Sequence, residues 1–287
     1  MTQLSVSAPR ARTAPASGAD ERLAVRPRVR RRLGPGRTSA RGLALGPLLL
    51  VVAWVAGSAS GALDPATLSP PWTVVTTFGE LIADGRLQSN LLTSVQRAAI
   101  ALVLGVGIGV ALALVAGLTR LGEAVVDGPV QIKRAIPTLA LIPLAIIWFG
   151  IGEEMKIIMI ALSVFVPVYI NTHAALRGVD ARYVELAESV GLSRRRFIQQ
   201  VALPGALPGF FVGLRLAVTI SWTALVVVEQ VNATSGIGYL MTQARTYGQT
   251  EIIVVGLVVY AVFGLVGDIA VRAAERRALS WRRSLGS

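Results

Sequence analysis

Apolar runs long enough to cross a bilayer recur along the chain, separated by short polar or basic segments. The runs read as helical spans are Leu43 to Ala59, Leu92 to Gly117, Val126 to Ile151, Ile157 to Ala175, Gly209 to Val228 and Ile252 to Val271. A hydrocarbon core about 30 Å thick takes roughly 20 apolar residues of helix. Transmembrane strands would alternate apolar and polar residues over about 10 positions, whereas AIALVLGVGIGVALALVAG, residues 99–117, is apolar on every side. The pattern therefore predicts an all-α, polytopic membrane protein with about six transmembrane helices. Its parts are an Arg-rich tail over residues 1–42, a membrane domain over 43–275 and a second tail over 276–287.

Composition agrees: of 287 residues, 53% are hydrophobic and 15% charged, and the mean hydropathy is +0.63, as in membrane proteins. In a soluble chain a formal charge of +12 would suggest nucleic acid. Here the basic residues follow topology, because short basic loops stay on the cytoplasmic side. With Arg10 through Arg41 inside, six spans place Arg120, Lys133 and Arg134 inside and Glu153 and Glu154 outside. Residues 180–208 and Arg276, Arg277, Arg282 and Arg283 then also fall inside. Both termini are expected in the cytoplasm, and no nucleic-acid partner is needed to explain the charge. The tail lacks apolar periodicity and is expected to be disordered. Its basic stretch is too long for a signal peptide despite the GSASGA that follows the first run, so that run is read as an uncleaved helix.

The chain has no cysteine and one histidine, His173, which leaves no ligand set for thiolate or imidazole metal sites. A phosphate-cradling GxxxxGK[ST] loop requires glycine before its lysine, but Lys133 and Lys156 follow Ile132 and Met155. Gly105, Gly107 and Gly109 lie inside an apolar run, where they predict close helix packing rather than a dinucleotide loop.

One segment breaks the apolar pattern: YVELAESVGLSRRRFIQQVALPGALP, residues 183–208. Asp180 to Val190 predicts a short helix, with Arg182 and Glu185 on one face and Gly191 as a left-handed terminator. A second helix is expected to start after Ser193 as N-cap, with Leu192 and Phe197 as a hydrophobic staple. It is expected to end before Pro204. Arg194, Arg195 and Arg196 oppose the dipole of its first turn by about 0.3–1 kcal/mol each. Anionic lipid headgroups or an acidic patch on a cytoplasmic partner would offset this.

Glu185, Ala187, Gly191, Val201, Leu203 and Pro204 stand at the spacing of the EAA loop of bacterial ABC importer permeases, and the segment resembles that loop. Leu186 and Val201 depart from the pattern as apolar replacements. The likeness extends over residues 90–280. EQVNATSGIGYL followed by QTEIIVVGLVVYA looks most like aliphatic-sulfonate permeases, within the nitrate, taurine and sulfonate branch.

The resemblance implies a permease subunit of the bacterial plasma membrane, without catalytic residues or a cofactor of its own. It also implies a second permease copy, an extracytoplasmic solute-binding protein, and a dimer of ATPase subunits that bind ATP and Mg. Glu185, Ala187, Gly191, Arg194, Arg195, Arg196, Leu203 and Pro204 would form the coupling helix-turn-helix docked on the ATPase. There the Glu185 carboxylate would accept charge-assisted hydrogen bonds, and the spans would alternate between inward-open and outward-open packing. The implied substrate is an aliphatic sulfonate, with taurine, nitrate or bicarbonate as alternatives. An ion-coupled secondary carrier, the alternative from another class, calls for interrupted helices in matched halves and intramembrane ionisable pairs, and the sequence shows neither.

Trp222, Glu229, Gln230, Asn232, Thr234 and Ser235 lie along or just beyond the fifth run, where polar groups are candidates for lining a substrate pathway. Glu229 has an alternative place at the outer interface. Arg215 is read as the cation inside a span, within snorkelling reach of the headgroups. Asp268 and Arg272 predict a helical ion pair, His173 predicts a packing role, and Pro137 and Pro143 predict kinks in the third span.

Overall fold

The computed structural model describes residues 40–281, and among these the chain is built from helices and turns without a strand. The helices are α1 (Ala40–Ala59), α2 (Pro71–Ala83), α3 (Arg86–Leu118), α4 (Arg120–Ala135), α5 (Ile142–Phe149), α6 (Glu153–Arg177), α7 (Ala181–Ser189), α8 (Arg194–Phe197), α9 (Leu203–Asn232), α10 (Ile237–Thr246) and α11 (Thr250–Ala278). The chain divides into residues 1–48 and 49–287, and the described part of the first unit is the opening of α1. The expected disordered tail over residues 1–42 lies, but for residues 40–42, outside the described residues.

Among the described residues, four helical stretches are long and apolar enough to cross a membrane: α3, α6, α8 through α9, and α11. A fifth arises if α4 and Thr138–Phe149 are one broken span, bent by 86°. Within the described residues α1 adds a shorter apolar stretch, Leu45–Ala59. The expected third span, Val126 to Ile151, is thus not one helix. Proline disfavours helical backbone in the residue before it, and Ile136, before Pro137, is extended at φ −92° and ψ 119°. The chain resumes through a 3₁₀ turn, Thr138–Leu141. Pro143 makes no kink, because it falls in the first turn of α5, where its missing N–H would have had no helical partner.

The expectation that the second coupling helix ends before Pro204 also fails. Leu203 stays helical at φ −65° and ψ −50°, and a π-turn over Ile198–Ala202 carries α8 into α9. The Leu203 N–H donates to the Ile198 carbonyl, a five-residue step that accommodates the donor missing at Pro204. Residues 194–231 therefore form one continuous helical body.

The packing of α3 inverts that of a soluble helix. Ala101, Gly105, Gly109, Ala113 and Ala116 are buried at four-residue intervals or close to them, whereas Val103, Ile108 and Val115 face outward. Small residues inside and bulky ones outside suit a lipid environment, where close backbone approach rather than burial of large side chains drives association. Helix α6 packs along both α3 and α9. A Cβ on Gly105 would lie 2.8 Å from the Ala161 carbonyl, and one on Gly213 of α9 would lie 2.8 Å from that of Pro167. Close packing expected of Gly105 and Gly109 is what the α3–α6 contact shows.

Candidate functional site

The segment that follows α6 opens on an exposed helix, α7. Asp180 caps α7 by accepting from the Arg182 N–H at 3.0 Å. The helix stops at Gly191, which takes φ +67°, while the Leu192 N–H reaches the Ala187 carbonyl at 2.8 Å and the Gly191 N–H reaches that of Glu188 at 3.0 Å. These two bonds make a Schellman motif, and they satisfy carbonyls that a helix end otherwise leaves open. Ala187 is buried and Glu185 exposed; among the described residues the Glu185 carboxylate has no hydrogen-bond or ion-pair partner.

Ser193 occupies the N-cap position of α8, but its side chain makes no capping bond. Arg194, Arg195 and Arg196 are exposed. Arg194 Nη2 donates to the Leu118 carbonyl at 2.7 Å, at the C-terminal end of α3 where a cation is favoured. This is a source of stabilisation besides lipid or an acidic partner. Leu203 and Pro204 are half-buried in the continuous helix and do not end it.

The pathway candidates separate. Glu229, expected beside the pathway or at an interface, is enclosed, with 1% of its surface exposed. Its carboxylate accepts from Ser94 Oγ at 2.8 Å, Arg97 Nη1 at 2.7 Å, the Gly238 N–H at 2.9 Å and the Tyr260 hydroxyl at 3.0 Å. The Gly238 N–H belongs to the first turn of α10, so Glu229 acts as an anionic cap. Ser94 completes the arrangement by accepting from the Ile237 N–H at 2.8 Å.

Arg97 was not among the sequence candidates, although it falls inside the expected span Leu92 to Gly117 and Arg215 is therefore not the lone cation of a span. It is buried with 3% exposure. Nε and Nη2 grip Glu153 at 2.5 and 2.6 Å, Nη1 reaches Glu229 and the Ser235 carbonyl at 2.7 and 2.6 Å, and Nη2 reaches Ser235 Oγ at 3.1 Å. All five guanidinium donors are thereby used. Lys156, also buried, donates to Glu153 at 2.9 Å, so two cations and two carboxylates tie α3, α6, α9 and the turn before α10 together. A charge inside an apolar run is costly unless paired, and that rule is the signal by which Arg97 was findable.

Of the remaining candidates, Ser235 is held by Arg97, Thr234 is exposed, Gln230 is half-buried, and Asn232 is the last residue of α9. Trp222 packs against Tyr260 and Phe263, with ring centroids at 6.5 and 5.7 Å, and lines a cavity of about 350 Å³ beside α11. Arg215 Nε donates to Asp268 Oδ1 at 3.1 Å, and Arg272 Nε to Oδ2 of the same carboxylate at 2.7 Å. The Asp268–Arg272 pair was expected from spacing; the bond from α9 was not. His173 stacks on Tyr169 with centroids 5.4 Å apart, a packing contact.

Lys133 and Arg134 line a cavity of about 370 Å³ where α4 breaks. Lys133 Nζ reaches the Leu162 carbonyl of α6 at 2.6 Å and Thr138 Oγ1 at 2.6 Å.

The family model described as "Binding-protein-dependent transport system inner membrane component" matches residues 105–280. A Bacillus subtilis protein named "Putative aliphatic sulfonates transport permease protein SsuC" is 40% identical over 253 residues, covering 87% of this chain and 91% of its own length. Its Escherichia coli namesake is 43% identical over 235 residues, covering 82% and 89%. The taurine transport system permease protein TauC of Escherichia coli is 31% identical over 245 residues, covering 83% and 89%. Among solved structures, a crystal structure of an amino acid ABC transporter with histidines superposes with a TM-score of 0.59 at 19% identity, covering 69% of this chain and 97% of that one. At that identity the likeness concerns the fold.

Proposed function

Because this chain belongs to the family of binding-protein-dependent transport system inner membrane components, we propose that it is the permease subunit of an ATP-driven importer of aliphatic sulfonates. As a permease component it carries no bond-making chemistry, and its work is to move helices. ATP and Mg are assigned to a separate pair of ATPase subunits, the substrate is delivered by an extracytoplasmic binding protein, and two permease copies enclose the pathway. The N- and C-terminal ends of the chain are assigned to the cytoplasmic side with α7.

The observation that carries the mechanism is the unbroken helical body from Arg194 to Val231, set directly behind an exposed α7 whose Glu185 is free to accept hydrogen bonds from a partner. A rigid lever behind a rigid handle transmits a displacement at the ATPase to the middle of the membrane, in the manner of two-state rigid-body switches. The choice of sulfonate is supported by the names of the two relatives at 40 and 43% identity. The relative named for taurine is lower, at 31%.

The test is ATPase activity of the permease reconstituted with its ATPase and binding-protein partners, on adding alkanesulfonate, taurine, nitrate or bicarbonate in turn. Stimulation by alkanesulfonate alone is the expected result. Stimulation by another anion instead keeps the machine and overturns the substrate, and failure to assemble with any ATPase subunit overturns the permease assignment.

A further inference from the structure

Between the ends of α6 stands a cation that no carboxylate neutralises. Leu162, whose carbonyl accepts from Lys133 Nζ at 2.6 Å, is nine residues from Glu153 and fifteen from Arg177. That is about 13 and 22 Å along the axis at 1.5 Å per residue, so the ammonium lies in the middle third of a spanning helix. Its other contacts are Thr138 Oγ1 at 2.6 Å and the ring of Phe165, whose centroid is 5.5 Å away. Among the described residues it has no ion-pair partner. The contrast is sharp, because the other lysine, Lys156, pairs with Glu153, and Arg97, Arg177, Arg215 and Arg272 each hold a carboxylate.

The surroundings of Lys133 suit a ligand. The open groove it lines has a volume of about 370 Å³, at the lower end of the roughly 300–1,000 Å³ of small-molecule clefts. Arg134 adds a second cation, Thr138, Ser163 and Thr223 add hydroxyls, the rest of the lining is apolar, and no acidic side chain takes part. One wall is the interrupted backbone at Ile136–Pro137, and irregular backbone at membrane depth is tolerated where it lines a cavity. An unpaired cation and a broken helix meeting in one cavity are two independent marks of a site.

We infer that this cavity is an intramembrane binding site for a small anion with an apolar tail, its headgroup held by Lys133 and the neighbouring hydroxyls. The inference rests on the permease reading above and specifies the residue that greets the substrate within the membrane. Lys133 serves as a mobile point charge: it is held by neutral acceptors, which an anion replaces without breaking an ion pair. The apolar lining takes the alkyl chain, so a sulfonate with a longer tail is favoured over an inorganic anion of the same charge.

The absence of cysteine from the chain makes a direct test possible. Thr223→Cys places one thiol on the cavity wall of the assembled complex, to be labelled with an anionic or a cationic methanethiosulfonate and read on this chain by mass. The expected result is about tenfold faster labelling by the anionic reagent, as a cleft of one charge sign concentrates counter-ions. Hexanesulfonate slows the labelling, and adding Lys133→Gln abolishes the charge preference. In uptake assays Lys133→Gln raises KM about tenfold, and Lys133→Arg restores part of the loss. Equal labelling by both reagents, no slowing by hexanesulfonate, or an unchanged KM in Lys133→Gln overturns the site. Should Lys133→Gln fail to assemble, hexanesulfonate protection in the Thr223→Cys protein with its native lysine decides. ATPase stimulation of the unsubstituted complex keeps the two readings apart: a stimulated complex without protection refutes the site alone, whereas a complex that no anion stimulates refutes the permease reading.

Discussion

Arg97 of α3 and Glu229 of α9, 132 positions apart in sequence, meet through a 2.7 Å hydrogen bond with both side chains closed off from the surface. Neither charge would be stable alone in an apolar helix bundle. Together with Glu153 and Lys156 they make a neutral set, and the same Glu229 carboxylate caps the first turn of α10. The network therefore fixes the relation of four elements near the N-terminal end of α6, at the opposite end from α7.

Arg97→Ala should lower stability by about 3–5 kcal/mol, since it leaves the buried Glu229 carboxylate without its cation. Thermal unfolding of the detergent-solubilised chain, followed by loss of helical dichroism, measures it. The double substitution Arg97→Ala with Glu229→Ala should cost less than the sum of the two single substitutions, because the groups act as one unit. Additive losses would contradict the coupling.

Gly236→Ala should also be costly, by a different route. Gly236 takes φ +112°, and an added Cβ would lie 2.5 Å from Glu229 Cδ. The backbone strain alone is about 1–3 kcal/mol, and the contact pushes on the carboxylate that caps α10. Gly107→Ala provides the control, because nothing stands within 4 Å of its added Cβ. There helix propensity should give a gain of about 0.5–1 kcal/mol. Equal effects of the two substitutions on the unfolding midpoint would exclude the assigned role of Gly236.

The helices were legible because a run that is apolar on every side permits little else in a membrane, and the turn at Gly191 was legible because glycine tolerates its backbone conformation. What escaped the sequence is tertiary. The passage of the helix through Pro204 runs over the π-turn Ile198–Ala202, which the spacing of residues does not announce. The partners of Arg97 come from residues 56 and 132 positions away, and spacing along one helix cannot reveal them. The contacts of Lys133 with Thr138 and Leu162 depend on where Pro137 breaks α4, which counting spans cannot give.

Glu185→Ala should leave stability within about 0.5 kcal/mol of the parent, as expected for an exposed position without partners. The same substitution should abolish most of the substrate-stimulated ATPase activity of the reconstituted complex, because the carboxylate is assigned to bonds with the partner rather than within the chain. Retained stimulation would remove Glu185 from the docking contact. A large drop in unfolding temperature would instead mean that α7 depends on it.

Asp268→Asn separates two roles for Arg215. The Asp268 carboxylate accepts from Arg215 and Arg272 together, so the Arg215 charge is already engaged. Were Arg215 to attract a passing anion, releasing it from Asp268 would strengthen that attraction and lower KM for alkanesulfonate. We expect instead an unchanged KM and a lowering of the unfolding midpoint smaller than that of Arg97→Ala, since this pair is partly exposed and surface-like pairs contribute little. Uptake kinetics in proteoliposomes, run beside the unfolding measurement on the same preparation, give both numbers. A fall in KM would return Arg215 to the substrate pathway and would leave Lys133 as one of two cations there rather than the first.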